Sequence, residues 1–250
     1  MLKILVAPAR SGILSHPMLD SMFRLRNSVF GERLNWSIQS YSGKEYDIYD
    51  KLNPVYLIAY DSTNPNLAIG CWRMLPSTGP YMLSDVFTSL LGESSAPKNL
   101  AAWEVSRFAV APEGPRSQFG FGPLSTAMLR ALWCQARRQN LHEIVGVTTI
   151  PVERMLLKLG FQVDRFTPPK KFGKVMSIAF RLPIQNKIER KIFSGTTPHY
   201  GRSMAWQATV NRQGELYHTV ELCMKDLLGC RESRCLGKDQ SGHQTTLINS

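Results

Sequence analysis

Residues 103–110 place a carboxylate and a guanidinium in an otherwise apolar stretch whose β-branched and aromatic residues predict a β-strand. Because side chains alternate along a strand, we expect Glu104 and Phe108 to share one face and Arg107 to point to the other. Ionised groups in such a strand are costly unless they are paired or directed into a polar site. An edge strand with solvated charges is the alternative. Since burial raises the pKa of a carboxylate, Glu104 is a candidate general base.

Charged and aromatic residues upstream of this strand are candidates for the same site. They are Arg26, Phe30, Trp36, Asp47, Asp50 and Arg73. Aromatic faces and carboxylates attract a cation, whereas a guanidinium binds a carboxylate. Each residue type also has a simpler interpretation. Large aromatic side chains are often core residues, loop aspartates are usually solvated, and arginines pair with acidic neighbours in structural networks.

Hydrophobic periodicity predicts the elements that position these residues in the first half of the chain. In order, they are a strand at 1–8, a helix at 16–30, an irregular segment at 31–53, strands at 54–60 and 68–75 joined by a turn at 61–66, and a short amphipathic helix at 82–91. The first helix places Arg26 and Phe30 on one face, because residues four apart are neighbours there. The irregular segment is polar yet rich in aromatic residues, which is typical of a lid or a binding segment.

The second half predicts a strand–helix–strand–helix crossover followed by further strands. The expected elements are a glycine-rich loop at 113–123, a helix at 123–140, a strand at 142–150, a helix at 151–159, and strands at 161–166 and 175–182 around a basic turn at 168–171. A glycine-rich loop that opens a helix can hold an anion with its backbone N–H groups, although a plain helix-entry turn has the same composition. The order predicts a mixed α/β fold around one sheet.

The hydrophobic periodicity that predicts helices and strands is weaker from residue 185 onward. A short helix, a hairpin around residues 211–214 and a helix at 222–228 are all compatible with it. Residues 229–250 are small and polar, with hardly any large apolar side chain. Because such a segment buries little apolar surface, we expect it to be disordered and dispensable for chemistry.

Charge and cysteine content limit the classes of protein to which the chain can belong. Residues 111–250 carry 20 basic against 10 acidic residues, whereas residues 1–110 carry 10 against 9. A basic half suggests an acidic partner such as nucleic acid, an anionic membrane or an acidic protein, or else a merely solvated surface. With no export signal, no C-x-x-C pair and no apolar run of ~18 residues, we expect a cytoplasmic protein with reduced thiols and no membrane span. The spacing of Cys230, Cys235 and His243 matches no standard zinc pattern, and we expect no metal.

Eight of these positions, taken in order, resemble the LuxI-type acyl-homoserine-lactone synthases, the autoinducer makers of bacterial quorum sensing. The positions are Arg26, Phe30, Trp36, Asp47, Asp50, Arg73, Glu104 and Arg107. The resemblance covers about residues 1–200 and leaves 201–250 as a C-terminal extension. It implies a single-domain α/β fold similar to the GNAT acetyltransferases. That fold is a three-layer α/β sandwich whose central mixed sheet is splayed where the Glu104 strand meets the next parallel strand.

The resemblance also implies the reaction and the roles of residues. An acyl group passes from acyl-carrier protein, or from coenzyme A, to the amine of S-adenosylmethionine, which then lactonises and expels methylthioadenosine. S-adenosylmethionine is a substrate here, and no cofactor is expected. Glu104, Arg107 and Asp47 are the implied catalytic residues. Those expected at S-adenosylmethionine are Arg26, Phe30, Trp36, Asp47, Asp50, Arg73, Trp103 and Phe108.

The acyl donor has its own implied residues. In the resembling enzymes a threonine at the position of Thr149 accompanies 3-oxo acyl chains, and Thr148 lies on the opposite face of its strand. The surface expected to meet an acidic carrier protein contains Lys158, Arg165, Lys170, Lys171 and Lys174. Two other functions fit parts of the sequence: a GNAT-like N-acyltransferase acting on another amine, and a basic nucleic-acid-binding protein.

Overall fold

A computed structural model describes residues 1–111, 122–172, 175–184, 205–210 and 216–222 of the chain. The strands are β1 (Leu2–Pro8), β2 (Ser40–Tyr41), β3 (Lys44–Glu45), β4 (Val55–Asp61), β5 (Asn64–Pro76), β6 (Ala102–Val110), β7 (Glu143–Thr149), β8 (Asp164–Arg165), β9 (Lys170–Phe172), β10 (Val175–Pro183), β11 (Ala205–Val210) and β12 (Leu216–Leu222). The α-helices are α1 (His16–Arg26), α2 (Met82–Asp85), α3 (Pro123–Arg138) and α4 (Ile150–Lys158), with a π-helix at Asn27–Arg33 and 3₁₀-helices at Ile48–Leu52 and Thr88–Leu90. No helix in these ranges is long and apolar enough to cross a membrane.

Ten strands form one mixed sheet that parts at its centre. The order is β11-β12-β1-β4-β5-β6-β7-β10-β8, with β9 also paired to β10. Among the described pairs, β6 and β7 run parallel and the others run antiparallel. The β6–β7 pairing begins with Ala102 opposite Glu143 and ends with Val105 opposite Gly146. Both strands continue beyond that point, so a V-shaped opening begins one residue after Glu104. The predicted splayed, mixed sheet is confirmed.

Gly146 sets how closely the two strands approach where they part. A Cβ atom at this position would lie 2.5 Å from the backbone oxygen of Val105 and 3.3 Å from the ring of Phe180. Because a side chain cannot approach a backbone oxygen so closely, only glycine fits here without a shift of one strand.

Helices cover both faces of the sheet and give the predicted three layers. Helices α3 and α4 pack on one face, with Trp133 in the largest core cluster. Helix α1 and the π-helix cover the opposite face, where Met22 and Phe30 are buried. Helix α2 and the 3₁₀-helix at Thr88–Leu90 cover that same face near β7, with Leu83 at their centre.

The predicted helix at 16–30 changes form part of the way along. It begins at a cap in which Ser15 Oγ accepts the N–H of Met18 at 3.2 Å. After α1 the chain widens into the π-helix, which ends with the N–H of Leu34 donating to the oxygen of Val29, five residues back. Such widened turns are frequent at functional sites.

Three further predictions are corrected. The turn between β4 and β5 spans two residues rather than 61–66, because β5 starts at Asn64. The predicted helix at 82–91 is broken after Asp85, and residues 88–90 form a separate 3₁₀ turn. The predicted basic turn at 168–171 is partly strand, since β9 pairs with β10. Helical and strand periods are hard to separate in segments this short.

The predicted hairpin near residue 211 is confirmed by its strands, because β11 pairs antiparallel with β12. Strand β12 also pairs with β1, so the hairpin extends the main sheet at that edge. Several predictions lie outside the described residues. They concern most of the glycine-rich loop at 113–123, the short helix after residue 185, the helix at 222–228 beyond the end of β12, the disorder of 229–250, and Cys230, Cys235 and His243.

A β-bulge in β6 reverses the predicted facing of Arg107 and Phe108. Strand β6 carries one residue more than the facing part of β5. Arg107 adopts a left-handed backbone conformation with φ of 59°. Its side chain therefore turns to the face of Glu104, whereas Phe108 packs in the core on the other face. The prediction from strict alternation was wrong here.

Candidate active site

Glu104 is buried, and two backbone N–H groups hold its carboxylate. Its side chain lies on β6 beside the V-shaped opening and is 1% exposed. The N–H of Met82 donates to Oε2 at 3.1 Å and the N–H of Leu83 donates to Oε1 at 2.7 Å. We call these two residues the carboxylate clamp. Burial raises the pKa of Glu104 to about 7, although the two backbone hydrogen bonds act in the opposite direction.

A cluster of three arginines and three carboxylates lies on the same face. The members of this ion-pair cluster are Arg26, Arg73, Arg107, Glu45, Asp47 and Asp50. Arg26 pairs with Glu45 and binds Asp50 through two nitrogens at 2.8 and 3.0 Å. Arg73 donates to Asp47 at 2.6 Å and to Asp50 at 3.0 Å. Arg107 donates to Glu45 at 3.0 Å and to Asp47 at 2.8 Å.

Local backbone structure fixes the carboxylates of this cluster. The 3₁₀-helix at Ile48–Leu52 begins with a reciprocal cap. Asp47 Oδ1 accepts the N–H of Tyr49 at 2.9 Å, and Asp50 Oδ2 accepts the N–H of Asp47 at 2.8 Å. Asp50 also accepts the hydroxyl of Tyr56 at 2.6 Å. This reciprocal cap requires two acidic residues three positions apart, and Asp47 and Asp50 have that spacing.

Two carboxylates of the cluster, Asp50 and Glu45, are held in their ionised forms despite their burial. Burial opposes the charge of Asp50, but Arg26 and Arg73 outweigh it and hold the pKa of Asp50 well below its ordinary value. The pKa of Glu45 is lowered in the same way, because Arg26 and Arg107 outweigh the effect of burial. Buried charges that are paired and hydrogen-bonded on every side form a rigid unit, and removal of one member leaves another uncompensated.

Solvent exposure divides the ion-pair cluster into side chains that a substrate can contact and buried side chains that hold the first group in position. The side chains of Arg26, Asp50 and Arg73 are 0% exposed. The side chain of Asp47 is 15% exposed and that of Arg107 is 11% exposed. In the conformation described, Asp47 and Arg107 are therefore the reachable charges, and the three fully buried residues hold them in place.

An aromatic pair stands beside these reachable charges. Phe30, on the π-helix, stacks on Trp36 with ring centroids 5.3 Å apart. The guanidinium of Arg107 lies 5.5 Å from the centre of the Phe30 ring. The indole N–H of Trp36 is buried and donates to no described residue. Aromatic faces next to a carboxylate are what a sulfonium or ammonium group binds.

Two predicted contact residues lie on the other face of the sheet, and a third lies on the face of Glu104. Trp103 and Phe108 pack on the opposite face of the sheet, where Phe108 stacks on Trp72 at 4.3 Å between ring centroids. Thr149 lies on the face of Glu104, because it alternates with Val145, which pairs directly with Glu104. It sits at the end of β7, beyond the point where β6 and β7 part.

The structure adds four residues that the sequence did not single out for the site. Glu45 was visible as part of an acidic run, and its burial could not be read from that run. Ser106 accepts from Arg73 at 3.1 Å, because the two residues are direct cross-strand partners. Met82 Sδ accepts from both Arg73 and Arg107, at 3.1 and 3.0 Å. Tyr56 reaches Asp50 from β4, where an alternating strand gave no signal of function.

The predicted basic surface contains exposed lysines as well as side chains held by hydrogen bonds. Lys158 and Lys171 are exposed on α4 and β9. Lys170 is exposed but its Nζ donates to the oxygen of Ser89 at 2.6 Å. Arg165 binds the buried carboxylate of Glu153 through two nitrogens. Lys174 lies outside the described residues.

Several known proteins are similar to this chain in sequence and in fold. The autoinducer synthase family model matches residues 11–192. An acyl-homoserine-lactone synthase of Pseudomonas aeruginosa is 35% identical over 178 residues, which are 71% of this chain and 88% of that relative. The AHL synthase LasI, a solved structure, matches with a TM-score of 0.68 at 33% identity, covering 78% of this chain and 95% of LasI. TofI, solved in a ternary complex with an inhibitor and MTA, matches with a TM-score of 0.64 at 29% identity, covering 76% of this chain and 95% of TofI.

The GNAT-like α/β fold predicted from the sequence is confirmed. The family match covers the ion-pair cluster, the aromatic pair and Glu104. The chain therefore belongs to the autoinducer synthase family and is an acyl-homoserine-lactone synthase, an enzyme of the acyltransferase class.

Proposed function

We propose that this enzyme transfers an acyl group from the thioester of acyl-carrier protein to the amine of S-adenosylmethionine and then closes the lactone. In the first step the amine nitrogen attacks the thioester carbonyl, a C–N bond forms, and the carrier thiol leaves. In the second step the carboxylate of the acylated S-adenosylmethionine displaces the sulfonium, so that a C–O bond forms, a C–S bond breaks and methylthioadenosine leaves.

The observation that carries this proposal is the position and pKa of Glu104. Attack on a thioester requires a neutral amine, so a base must take a proton from the attacking nitrogen. A carboxylate with a pKa of about 7 suits that task near neutral pH. Each carboxylate oxygen carries two lone pairs, so an oxygen that accepts one clamp N–H can accept a second donor. Glu104 also lies one residue before the V-shaped opening, which gives a pantetheine arm a route to it.

S-adenosylmethionine matches the groups that remain reachable. Its sulfonium and amine suit the Phe30–Trp36 pair and Asp47, and its carboxylate suits Arg107. In this assignment Arg26, Asp50 and Arg73 contribute by holding Asp47 and Arg107 at fixed positions. The complex of TofI with MTA supports an adenosyl substrate, because MTA is methylthioadenosine, the leaving group expected here.

An acidic carrier protein suits the charge of the donor side. Residues 151–200 carry 10 basic against 3 acidic residues. Exposed charges steer an oppositely charged partner, and salt screens them over about 8 Å at physiological ionic strength. We therefore expect the KM for acyl-carrier protein to rise with salt and to rise in Lys171→Glu, with the KM for S-adenosylmethionine unchanged. A KM for carrier protein that responds to neither change would show that the basic face is only a solvated surface.

The direct test uses purified protein, S-adenosylmethionine and acyl-carrier proteins loaded with chains of different length. Mass spectrometry of the products should show one acyl-homoserine lactone and one methylthioadenosine per thiol released. Accumulation of acylated S-adenosylmethionine without release of methylthioadenosine would contradict lactone closure. Transfer to other amines in preference to S-adenosylmethionine would contradict the proposed acceptor.

A further inference from the structure

One short segment, residues 81–92, connects the carboxylate clamp to the basic side of the molecule. Its near end contains the clamp, Met82 and Leu83, whose N–H groups hold Glu104. The segment is internally hydrogen-bonded. The N–H groups of Val86 and Phe87 both donate to the oxygen of Met82, at 2.8 and 3.1 Å. The N–H of Leu90 donates to the oxygen of Phe87 at 2.9 Å, so hydrogen bonds link the far end of the segment to the clamp.

The far end of the segment is held by residues 164–172. Thr167 Oγ1 donates to the oxygen of Leu90 at 2.9 Å, and Lys170 Nζ donates to the oxygen of Ser89 at 2.6 Å. A Cβ atom on Gly92 would lie 2.7 Å from the methyl group of Thr167, so the two chains touch closely there. The rings of Phe87 and Phe172 also meet at 4.8 Å between centroids.

We propose that Thr167 and Lys170 are positioning residues for Glu104, acting through the 81–92 segment. They fix the far end of the segment, and its near end then presents two N–H groups to the carboxylate. The inference depends on the proposed role of Glu104 as the base. It gives Lys170 a second task, because the same ammonium group lies on the surface proposed to meet the carrier protein.

The clamp matters because it is one of several groups that set the charge of Glu104. Among the described residues, Arg73 faces it from β5, Arg107 from β6, Tyr49 from the 3₁₀-helix and Tyr81 from the segment itself. The clamp bonds favour the ionised carboxylate, so their loss would raise the pKa of Glu104 further. The acidic limb of the pH–rate profile should then move to higher pH.

The test compares Thr167→Val and Lys170→Met with the wild type. Hydrogen–deuterium exchange of the 81–92 segment, measured without substrates, should be about 3- to 10-fold faster in both variants, because local opening becomes easier. The acidic limb of kcat/KM should move up by about half a pH unit or more, since stabilising bonds to the charged form are lost. Thr167→Ser and Lys170→Arg keep a donor and should restore both values.

Lys98→Met is the matched control, because Lys98 is an exposed lysine outside both segments. It should change neither exchange nor the pH profile. Unchanged exchange at residues 81–92 in both Thr167→Val and Lys170→Met would overturn the inference, even if the KM for carrier protein rises. Because exchange needs no substrate, this outcome is separable from a failure of the proposed reaction, which would appear as full activity in Glu104→Gln.

Discussion

At the scale of single residues, Glu104 carries a charge where the surroundings disfavour one. Burial raises its pKa to about 7, while two backbone hydrogen bonds, Arg73 and Arg107 limit the rise. When the pKa of a carboxylate is higher in the folded than in the unfolded state, the free energy of unfolding decreases as the pH rises from the unfolded pKa to the folded pKa. The site therefore keeps a base near neutral pH at some cost in stability.

Replacement of Glu104 by Gln should separate these two effects. We expect a folded protein with turnover reduced by about 10²–10⁴-fold, because the amide cannot accept the proton. Its unfolding free energy, relative to the wild type, should improve as the pH rises from about 4.5 to about 7 and should change little above that range. In the wild type, activity should fall as the pH drops below about 7, where Glu104 is protonated. Near-normal turnover of the purified variant would remove Glu104 from the mechanism.

Asp50 should behave as a structural residue. Asp50→Asn leaves Arg26 and Arg73 short of one buried negative charge, and breaking such a pair typically costs about 3–5 kcal/mol. Urea unfolding at pH 7 measures this loss. Because the folded pKa of Asp50 lies below its unfolded value, its stabilisation is present above about pH 4 and is lost as the pH falls further.

The matched control is Asp61→Asn, since the side chain of Asp61 is 41% exposed in its pair with the N-terminus. An exposed pair contributes about 0–1 kcal/mol, so little change is expected. Equal stability of Asp50→Asn and Asp61→Asn would show that the buried cluster is not needed for the fold.

Residue types and order were enough to predict the site's composition but not its internal geometry. The family resemblance placed Arg26, Asp50 and Arg73 at the substrate, and in the structure they are buried behind Asp47 and Arg107. Alternation along a strand put Arg107 on the wrong face, because a one-residue bulge gives no distinct sequence signal. The role of the clamp was unpredictable, since backbone N–H groups are present at every non-proline residue.

At the scale of elements, the π-helix and the chain that follows it form the aromatic wall. The N–H of Trp36 donates to the oxygen of Phe30 at 2.8 Å, which brings the two rings together. The segment at 31–53, predicted as a lid or binding segment from its aromatic content, supplies Trp36, Glu45, Asp47 and Asp50 to the site.

Trp36 is the residue with which to test this wall. Because it is only half-buried, Trp36→Ala should keep the fold. Its KM for S-adenosylmethionine should rise about 10-fold or more, as expected for loss of a contact between a cation and an aromatic face. Trp36→Phe keeps a ring for stacking and should lie closer to the wild type. A KM unchanged in Trp36→Ala would argue that the sulfonium binds elsewhere.

Gly146 tests the opening between β6 and β7. Gly146→Ala places a methyl group against the oxygen of Val105, so the two strands must shift, at a cost of about 1–3 kcal/mol. Thermal unfolding should show the loss, and the KM for the acyl donor should change with it. Gly79→Ala is the control, because a Cβ there meets nothing within 4 Å. Identical melting of the two variants would mean that the strands do not depend on this close approach.

Long elements were predictable and short ones were not. Strand β6, helix α3 and helix α4 lie within a few residues of their predicted bounds, because each repeats its hydrophobic pattern several times. The 81–92 and 164–172 segments were misassigned because each is built from two- to four-residue elements, and contacts with each other and with β10 help to hold these elements. Such contacts are remote in sequence and leave no local pattern.

At the scale of the whole molecule, the C-terminal hairpin completes one edge of the sheet. Strand β12 pairs with β1 from Leu2 to Val6, and Val220 is 0% exposed. The hairpin itself was predictable from its turn residues. Its partner was not, because pairing with β1 joins opposite ends of the chain.

Two truncations should therefore differ. A chain ending at residue 228 keeps both strands and should retain its melting temperature and activity. A chain ending at residue 200 loses the hairpin, and the burial of Val220 alone is worth about 1.5–3 kcal/mol. It also exposes the edge of β1, which favours self-association. Size-exclusion chromatography and thermal unfolding measure both effects, and equal behaviour of the two chains would show that the hairpin adds nothing to the fold.

The ion-pair cluster has a consequence for how the chain reaches its native state. It joins α1, the 31–53 segment, β5 and β6, and the contact between Glu45 and Arg107 spans 62 residues of sequence. Contacts between distant residues form late, because the intervening loops must close first. Until they form, any compact intermediate that buries one of these charges does so unpaired and is penalised. Non-native arrangements of these segments bury unpaired charges and are therefore disfavoured. Because the same charges position Asp47 and Arg107, the ion-pair cluster favours both the native fold and the geometry of the site.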